Sequence, residues 1–167
     1  SNKVDWLISS SNKCLQGVPG VSFTIARTNS LNACSSRARS LSLDLHDQWR
    51  GQATHGRFRY TPPTHVLLAM RQAIDELKRE TIEARRARYA TLRDRLIEGM
   101  GRLGFEAYIP ARHRSVIITT FLYPRSTRFE FDPFYQALQA RGFVIYPGKL
   151  GSVDCFRIGH LGDLTTR

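Results

Sequence analysis

Residues 4–26 read VDWLISSSNKCLQGVPGVSFTIA, a stretch in which two apolar runs flank a polar segment that contains a lysine. Its first part, Val4 to Ile8, is mostly apolar and predicts a buried strand. Val21 to Ala26 is a second run of β-branched and aromatic residues, which predicts another strand. The polar residues and glycines between the two runs predict a loop. We therefore expect a strand, a loop that carries Lys13, and a second strand.

The middle of the chain is predicted to be helical. Residues 28–59 have a weak pattern, which indicates irregular structure with short helical pieces. Pro62 and Pro63 then open a helix, because its first turn does not use the N–H that proline lacks. One apolar face recurs at helical spacing through Val66, Met70, Ile74 and Leu77. A second such face runs through Tyr89, Leu92, Leu96, Met100 and Leu103 and ends near Gly104. The two stretches predict either two helices or one long bent helix.

The last third of the chain predicts a small α+β domain. Three of its segments are typical of strands, namely Val116–Phe121, Phe143–Tyr146 and Val153–Ile158. Between the first and second of these, Asp132 and Pro133 suit the N-cap and the first position of a helix, and Gly142 suits its C-terminal end. The order strand, helix, strand, strand is that of a small layered domain.

Composition limits the classes of function. A chain of 167 residues with 41% hydrophobic content can bury a core. It has neither an apolar run of membrane-spanning length nor a recognisable leader, so we expect a cytoplasmic protein without a membrane partner. The cysteines Cys14, Cys34 and Cys155 are widely spaced, which predicts reduced thiols and no metal site.

The formal net charge of +11 would suit a nucleic-acid partner. Much of it, however, is arginine spread along the second predicted helix among acidic residues, a pattern typical of a solvated helix face. These arginines are Arg85, Arg86, Arg88, Arg93, Arg95 and Arg102. We expect no nucleic-acid partner. A basic non-enzymatic module that binds nucleic acid or an acidic protein stays open as an alternative.

Three residues are candidates for chemistry. A lysine whose pKa is depressed can form a Schiff base with an aldehyde cofactor, although a lysine after a strand, such as Lys13, is more often a solvated loop residue. Thr61 precedes two prolines and could equally be a capping or turn hydroxyl. Arg157 is unusual, because a buried strand does not carry a charge without a partner.

Residues 9–20, SSSNKCLQGVPG, closely resemble the cofactor-lysine segment of the 2-aminoethylphosphonate:pyruvate transaminases. Further segments resemble the same family in the same order: RSLSLDL at 39–45, QWR at 48–50, TPPTH at 61–65, FVIYPGK at 143–149 and DCFRIG at 154–159. The resemblance covers nearly the whole chain.

The resemblance implies the fold. It indicates a class V, fold-type I aminotransferase that depends on pyridoxal 5′-phosphate, and hence an α/β to α+β structure. Residues 1–65 then correspond to the C-terminal part of the large cofactor-binding domain, including the end of its sheet. Residues 66–104 correspond to the linking helix or helices. Residues 105–167 correspond to the small α+β C-terminal domain, truncated at its end.

The resemblance also implies the reaction and its residues. The family moves an amino group from 2-aminoethylphosphonate to pyruvate, giving phosphonoacetaldehyde and alanine. Lys13 matches the lysine that binds the cofactor covalently and carries the proton. Thr61 matches a threonine that binds the cofactor phosphate of the partner subunit in a homodimer. Arg157 matches the arginine that holds the carboxylate or phosphonate of the substrate, which its planar guanidinium suits.

Parts of the family's pattern are absent from this sequence. They are a phosphate loop, an aromatic residue that stacks on the cofactor, an aspartate that pairs with its ring nitrogen, and the last helix of the small domain. We therefore expect a C-terminal fragment with no activity of its own. The alternative within the enzymes is another class V aminotransferase, of the alanine:glyoxylate or serine:pyruvate type.

Overall fold

A computed structural model describes residues 4–126, 128–148, 150–151 and 153–165. The chain divides into two compact units, Ser1–Ile74 and Asp75–Arg167. Lys149, which belongs to one of the family-like segments, lies outside the described residues.

The first unit begins with a two-stranded antiparallel sheet. Strand β1 spans Trp6–Ser10 and pairs with β2, Ser22–Ala26, in a register that sets Ser10 opposite Ser22. This confirms the predicted order of strand, loop and strand. The expected burial of β1 was wrong, since Leu7 and Ile8 are 50% and 70% exposed. The reason is that β1 has a single neighbouring strand in the described part of the chain.

Two helices follow in the first unit. Helix α1 spans Thr28–Asn32 and α2 spans Leu45–His55, with a 3-10 turn at Leu41–Leu43 before α2. At the start of α2, the side chain of Asp44 accepts a hydrogen bond of 3.0 Å from the backbone N–H of Asp47. At its end, Gly56 has a φ of 62°. These two caps stabilise a longer helix than the short pieces expected here.

Helices α3 and α4 span Thr64–Glu80 and Ile82–Arg102. Helix α3 begins directly after Pro63, as predicted, and Gly104 with a φ of 86° follows the end of α4. The two helices are separate, because Thr81 between them has a φ of 74° and a ψ of 154°. Its hydroxyl caps α4 by accepting a hydrogen bond of 3.2 Å from the N–H of Ala84.

The second unit contains a three-stranded antiparallel sheet. Its strands are β3 (Ile118–Leu122), β4 (Tyr146–Pro147) and β5 (Cys155–Gly159), arranged in the order β3-β5-β4. Helix α5, Phe131–Gln139, lies between β3 and β4 in the sequence. The predicted order of elements is confirmed, although β4 is shorter than expected.

The predicted N-cap of α5 was wrong. The helix begins at Phe131, after Glu130, so Asp132 lies inside its first turn. Phe131 stacks on Tyr123, with ring centroids 5.7 Å apart, and also contacts Phe156. Its burial against these rings favours a start one residue before the aspartate, and no side-chain cap is formed.

The core of the second unit is aromatic. Phe121 on β3 and Phe156 on β5 are fully buried, with ring centroids 5.8 Å apart. Met100 of α4 joins them, and the partly buried Phe134 of α5 packs against the same cluster. One face of the sheet is therefore covered by helices, and side chains at alternate positions of β5 point to the other face.

Two predictions from composition can be compared with the structure. The three cysteines, all among the described residues, form no disulfide, as predicted. Over the part of the chain that the structure describes, no helix combines the length and the apolar character needed to cross a membrane.

Candidate active site

Lys13 lies in the loop that joins β1 to β2, and its side chain is exposed. The loop is fixed by Ser11, which is fully buried. The backbone N–H of Ser11 donates to the carbonyl of Val21 at 3.2 Å, and its hydroxyl donates to the carbonyl of Val18 at 2.6 Å. The N–H of Gln16 donates to the carbonyl of Lys13 at 2.9 Å. The loop thus holds the backbone of Lys13 while its amine faces solvent.

Two glycines allow the loop to close. A Cβ at Gly17 would lie 3.0 Å from the carbonyl oxygen of Ser11, so a side chain there would force the loop backbone to shift. Gly20 has a φ of 128°, and a Cβ at this position would lie 3.1 Å from a methyl group of Val66 on α3. The lysine loop therefore packs against α3 within the first unit.

Thr61 is exposed and precedes the start of α3. The backbone N–H of Thr64 donates a hydrogen bond of 2.9 Å to the carbonyl of Pro62. In the described structure, the hydroxyl of Thr61 makes no hydrogen bond, so it does not act as the capping group that its position also allowed. Lys13 and Thr61 belong to the same unit, but no hydrogen bond joins them there.

Arg157 lies in the middle of β5, in the second unit. It stands opposite Thr120 of β3 on one side and opposite Tyr146 of β4 on the other. Its Nε is buried and has no hydrogen-bond partner among the described residues. A buried guanidinium nitrogen without a partner is costly, so the position suits an anionic ligand.

A cluster around Glu80 was not anticipated from the sequence. Arg85 is 4% exposed, and its Nε donates to Oε2 of Glu80 at 2.6 Å. Arg88 donates to Oε1 of Glu80 at 2.8 Å and to the carbonyl oxygens of Gly162 and Leu164 at 2.8 and 3.1 Å. The hydrogen bond from Arg88, opposed by burial, lowers the pKa of Glu80. The cluster attaches the segment after β5 to the start of α4.

The arginines of α4 are therefore not all exposed to solvent, although the sequence predicted a solvated helix face. Arg85 is buried, which corrects the prediction for that residue. Towards the end of the helix the expectation holds for the exposed Arg102, which pairs with Glu98, whereas Arg93 is half-buried and pairs with Asp94. A spread of charges along a sequence does not reveal that an acidic residue on the preceding helix will meet the arginines of the first turns.

His160 was also missed by the sequence analysis. It is buried next to β5, with its Nε2 3.0 Å from the hydroxyl of Thr119. Burial lowers the pKa of His160, and the positive charge of Arg93 acts in the same direction. A histidine that directly follows a strand could have been identified as a buried group from the alternation of Phe156, Ile158 and His160.

Comparison with known proteins identifies the fold and the relatives. No family profile matches the chain. The chain aligns over 96% of its length with a ureidoglycine–glyoxylate aminotransferase from Bacillus subtilis, with a TM-score of 0.84, 20% identity and 42% of that structure covered. A pyridoxal-phosphate-bound phosphoserine aminotransferase from Trichomonas vaginalis gives a TM-score of 0.70 at 19% identity, over 94% of this chain and 43% of that one. The chain has the fold of the C-terminal part of such aminotransferases.

Relatives in sequence indicate one kind of aminotransferase within this class. Proteins named 2-aminoethylphosphonate–pyruvate transaminase are 50% identical to the chain in Phocaeicola vulgatus and 52% identical in Bacteroides fragilis. Each match covers 96% of this chain and 45% of the relative. The chain is thus a homologue of the 2-aminoethylphosphonate–pyruvate transaminases, which confirms the resemblance, and it spans less than half the length of the curated relatives it matches.

Proposed function

We propose that the protein containing this chain transfers the amino group of 2-aminoethylphosphonate to pyruvate, giving phosphonoacetaldehyde and alanine. The proposal is carried by 50% identity to proteins of that name across 96% of the chain. It includes pyridoxal 5′-phosphate as cofactor and a homodimer as the active form. The cytoplasmic location and the three domains at 1–65, 66–104 and 105–167 stay predictions from the sequence.

Lys13 is proposed as the catalytic residue that binds the cofactor covalently. An exposed amine on a hydrogen-bonded loop fits this role, because the amine is accessible while its backbone is held in place. When bound, pyridoxal phosphate supplies an electron sink. In the first half-reaction, Lys13 would move a proton from the substrate carbon that bears the amino group to the cofactor, and in the second it would move a proton from the cofactor to the carbonyl carbon of pyruvate.

Thr61 is proposed to bind the cofactor phosphate across a dimer interface. Its hydroxyl is exposed and makes no hydrogen bond within the described ranges, so a phosphate oxygen can accept one from it. The two prolines that follow fix the backbone next to it, which limits the entropy lost when the hydroxyl binds.

Arg157 is proposed to hold the anionic end of each substrate. Its buried Nε, without a partner in the described structure, fits a site that is completed by a ligand. The guanidinium presents two parallel N–H groups to two oxygens, which serves the carboxylate of pyruvate and alanine as well as a phosphonate.

The alternatives are less well supported. An alanine–glyoxylate aminotransferase from Nostoc sp. shares the fold with a TM-score of 0.80 but only 18% identity, so a different class V activity is the second candidate. Against a nucleic-acid-binding role, four of the arginines on α4 pair with acidic side chains, namely Arg85, Arg88, Arg93 and Arg102.

The test compares amino donors in the protein at its natural length. Single-turnover amino transfer should be much faster from 2-aminoethylphosphonate than from serine, with alanine formed from pyruvate. Faster transfer from serine, or from alanine to glyoxylate, would instead assign the protein to the second candidate. Tight binding to random duplex DNA with a steep salt dependence would favour the basic module.

A further inference from the structure

Three polar side chains form a row across one face of the sheet in the second unit. Arg157 on the central strand lies directly opposite Thr120 on β3 and directly opposite Tyr146 on β4. Residues directly opposite each other in antiparallel strands have Cβ atoms about 4.5–5.5 Å apart on the same face. The row is thus narrow enough for all three side chains to reach one small ligand.

This row lies on the face away from the aromatic core. Phe156, next to Arg157, is fully buried, and Ile145, next to Tyr146, is 6% exposed, whereas Tyr146 itself is 60% exposed. Neighbouring positions of a strand alternate between faces, so Phe156 and Ile145 mark the core side. The row of Thr120, Arg157 and Tyr146 is therefore on the side that the core does not fill.

The donors of this row are not used within the unit. In the described part of the chain, neither the hydroxyl of Thr120 nor that of Tyr146 makes a hydrogen bond, and the buried Nε of Arg157 has no partner. Hydroxyl and guanidinium groups beside one another offer several donors and a positive charge, which is a suitable environment for an anion.

The number of donors distinguishes two kinds of anion. A carboxylate has two oxygens in one plane, and a guanidinium fork satisfies both. A phosphonate has three oxygens in a tetrahedron, so the fork leaves one of them without a donor. A hydroxyl from a flanking strand can donate to the remaining oxygen, which lies out of the plane of the fork.

We propose that the hydroxyls of Thr120 and Tyr146 bind the third oxygen of a phosphonate and give the Arg157 site its preference for a phosphonate over a carboxylate. This inference rests on the proposed function and assigns two specificity-determining residues to its substrate. Arg157 attracts both substrate anions, whereas the two hydroxyls discriminate between them.

The test uses Thr120→Val, Tyr146→Phe and the double variant in the protein at its natural length. Binding of methylphosphonate and of acetate is measured by isothermal titration, and Michaelis constants are measured for 2-aminoethylphosphonate and pyruvate. Each lost hydrogen bond to the charged group should weaken methylphosphonate binding about tenfold. Acetate binding and the Michaelis constant for pyruvate should stay unchanged.

Two control variants separate recognition from folding. Thr120→Ser keeps the hydroxyl and should retain the affinity for methylphosphonate. Thr91→Val removes an exposed hydroxyl on α4 that donates to the carbonyl of Ala87, and it should change the affinity for neither anion. Circular dichroism of each variant checks that the sheet is intact.

Two results would overturn the inference. One is an equal loss of methylphosphonate and acetate affinity, and the other is an unchanged preference in the double variant. Failure of the proposed function is a separate outcome, because it would appear as a wild-type protein that transfers no amino group from 2-aminoethylphosphonate. The ratio of methylphosphonate to acetate affinity would still test the two hydroxyls in that case.

Discussion

Arg85 donates a 2.6 Å hydrogen bond to Glu80 across the break between α3 and α4. Glu80 is the last residue of α3, and Arg85 lies in the first turns of α4, where it is buried. Thr81 between them has a positive φ that an L-amino acid rarely adopts. The ion pair therefore joins two helices across a residue with an unfavourable backbone conformation.

Removal of the Glu80 charge should destabilise the second unit. We expect Glu80→Gln to lower its free energy of unfolding by about 2–4 kcal/mol, because the buried Arg85 loses its charged partner. Urea unfolding, monitored by hydrogen exchange of the backbone amides of α4, measures the change. Glu98→Gln, which removes the exposed partner of Arg102, should change it by about 0.5 kcal/mol or less. Equal effects of the two variants would contradict the structural role of Glu80.

The stability of the second unit should also depend on pH, because His160 binds a proton less readily in the folded state than in the unfolded state. Burial holds the pKa of His160 below its usual value of 6.5, with Arg93 adding to the effect and Asp94 opposing it. The unfolded chain then binds the proton more readily, so stability should fall as the pH drops from 6.5 towards the folded pKa. Chemical unfolding at a series of pH values measures this slope. His160→Gln should flatten it, and His113→Gln, at an exposed position, should leave it as in the wild type.

Lys13→Ala should abolish covalent attachment of the cofactor in the protein at its natural length. Turnover should fall by at least about a thousandfold, because the residue both binds the cofactor and carries the proton. Borohydride reduction followed by mass spectrometry of the modified peptide reports the attachment. Lys78→Ala, an exposed lysine on α3, serves as the matched control and should remain modified at Lys13. A reducible adduct that persists in Lys13→Ala would refute the assignment.

Arg157→Lys keeps the charge but loses the two-point fork. We expect higher Michaelis constants for both 2-aminoethylphosphonate and pyruvate, each by about tenfold or more, while the cofactor stays attached. Steady-state kinetics and the cofactor absorbance measure the two effects. The exposed Arg125→Lys should behave as wild type. Unchanged kinetics in Arg157→Lys would mean that Arg157 is structural.

The 167-residue chain on its own should transfer no amino group. It spans 45% of a matched relative, and the apolar side chains of Leu7, Ile8 and Ile25 on β1 and β2 are exposed. We expect the second unit to fold, and the first unit to self-associate through its strand edges. Size-exclusion chromatography and an alanine assay test both points, and Ile8→Lys should favour the monomer. A stoichiometric, lysine-linked cofactor with measurable alanine production would contradict this prediction.

The sequence was sufficient where local signals and apolar periodicity agreed. The half-buried face of Val66, Met70, Ile74 and Leu77 predicted α3, and the polar loop between two β-rich runs predicted the position of Lys13. Burial and strand register were harder to predict, because they depend on neighbours that are distant in sequence. Leu7 and Ile8 look like core residues by type, although no second layer covers them in the described structure.

The candidate site was predictable only in part for the same reason. Arg157 stood out because a charge interrupts an apolar strand, and family resemblance gave it a role. Thr120 and Tyr146 carry no signal of their own, since their significance comes from the register of β3 and β4 with β5. Similarly, the partners of Glu80 follow from the sharp turn at Thr81, whose positive φ the sequence did not indicate.

The boundary between the two units falls inside a helix. Residues Ile74 and Asp75 are consecutive in α3, and the half-buried side chains of Met70 and Leu77 lie on either side of that boundary. The units are therefore not modules that recombination can exchange freely. A crossover at this point between two related genes would splice two half-helices, and the hybrid would keep its apolar stripe only if both parents have the same helical phase there.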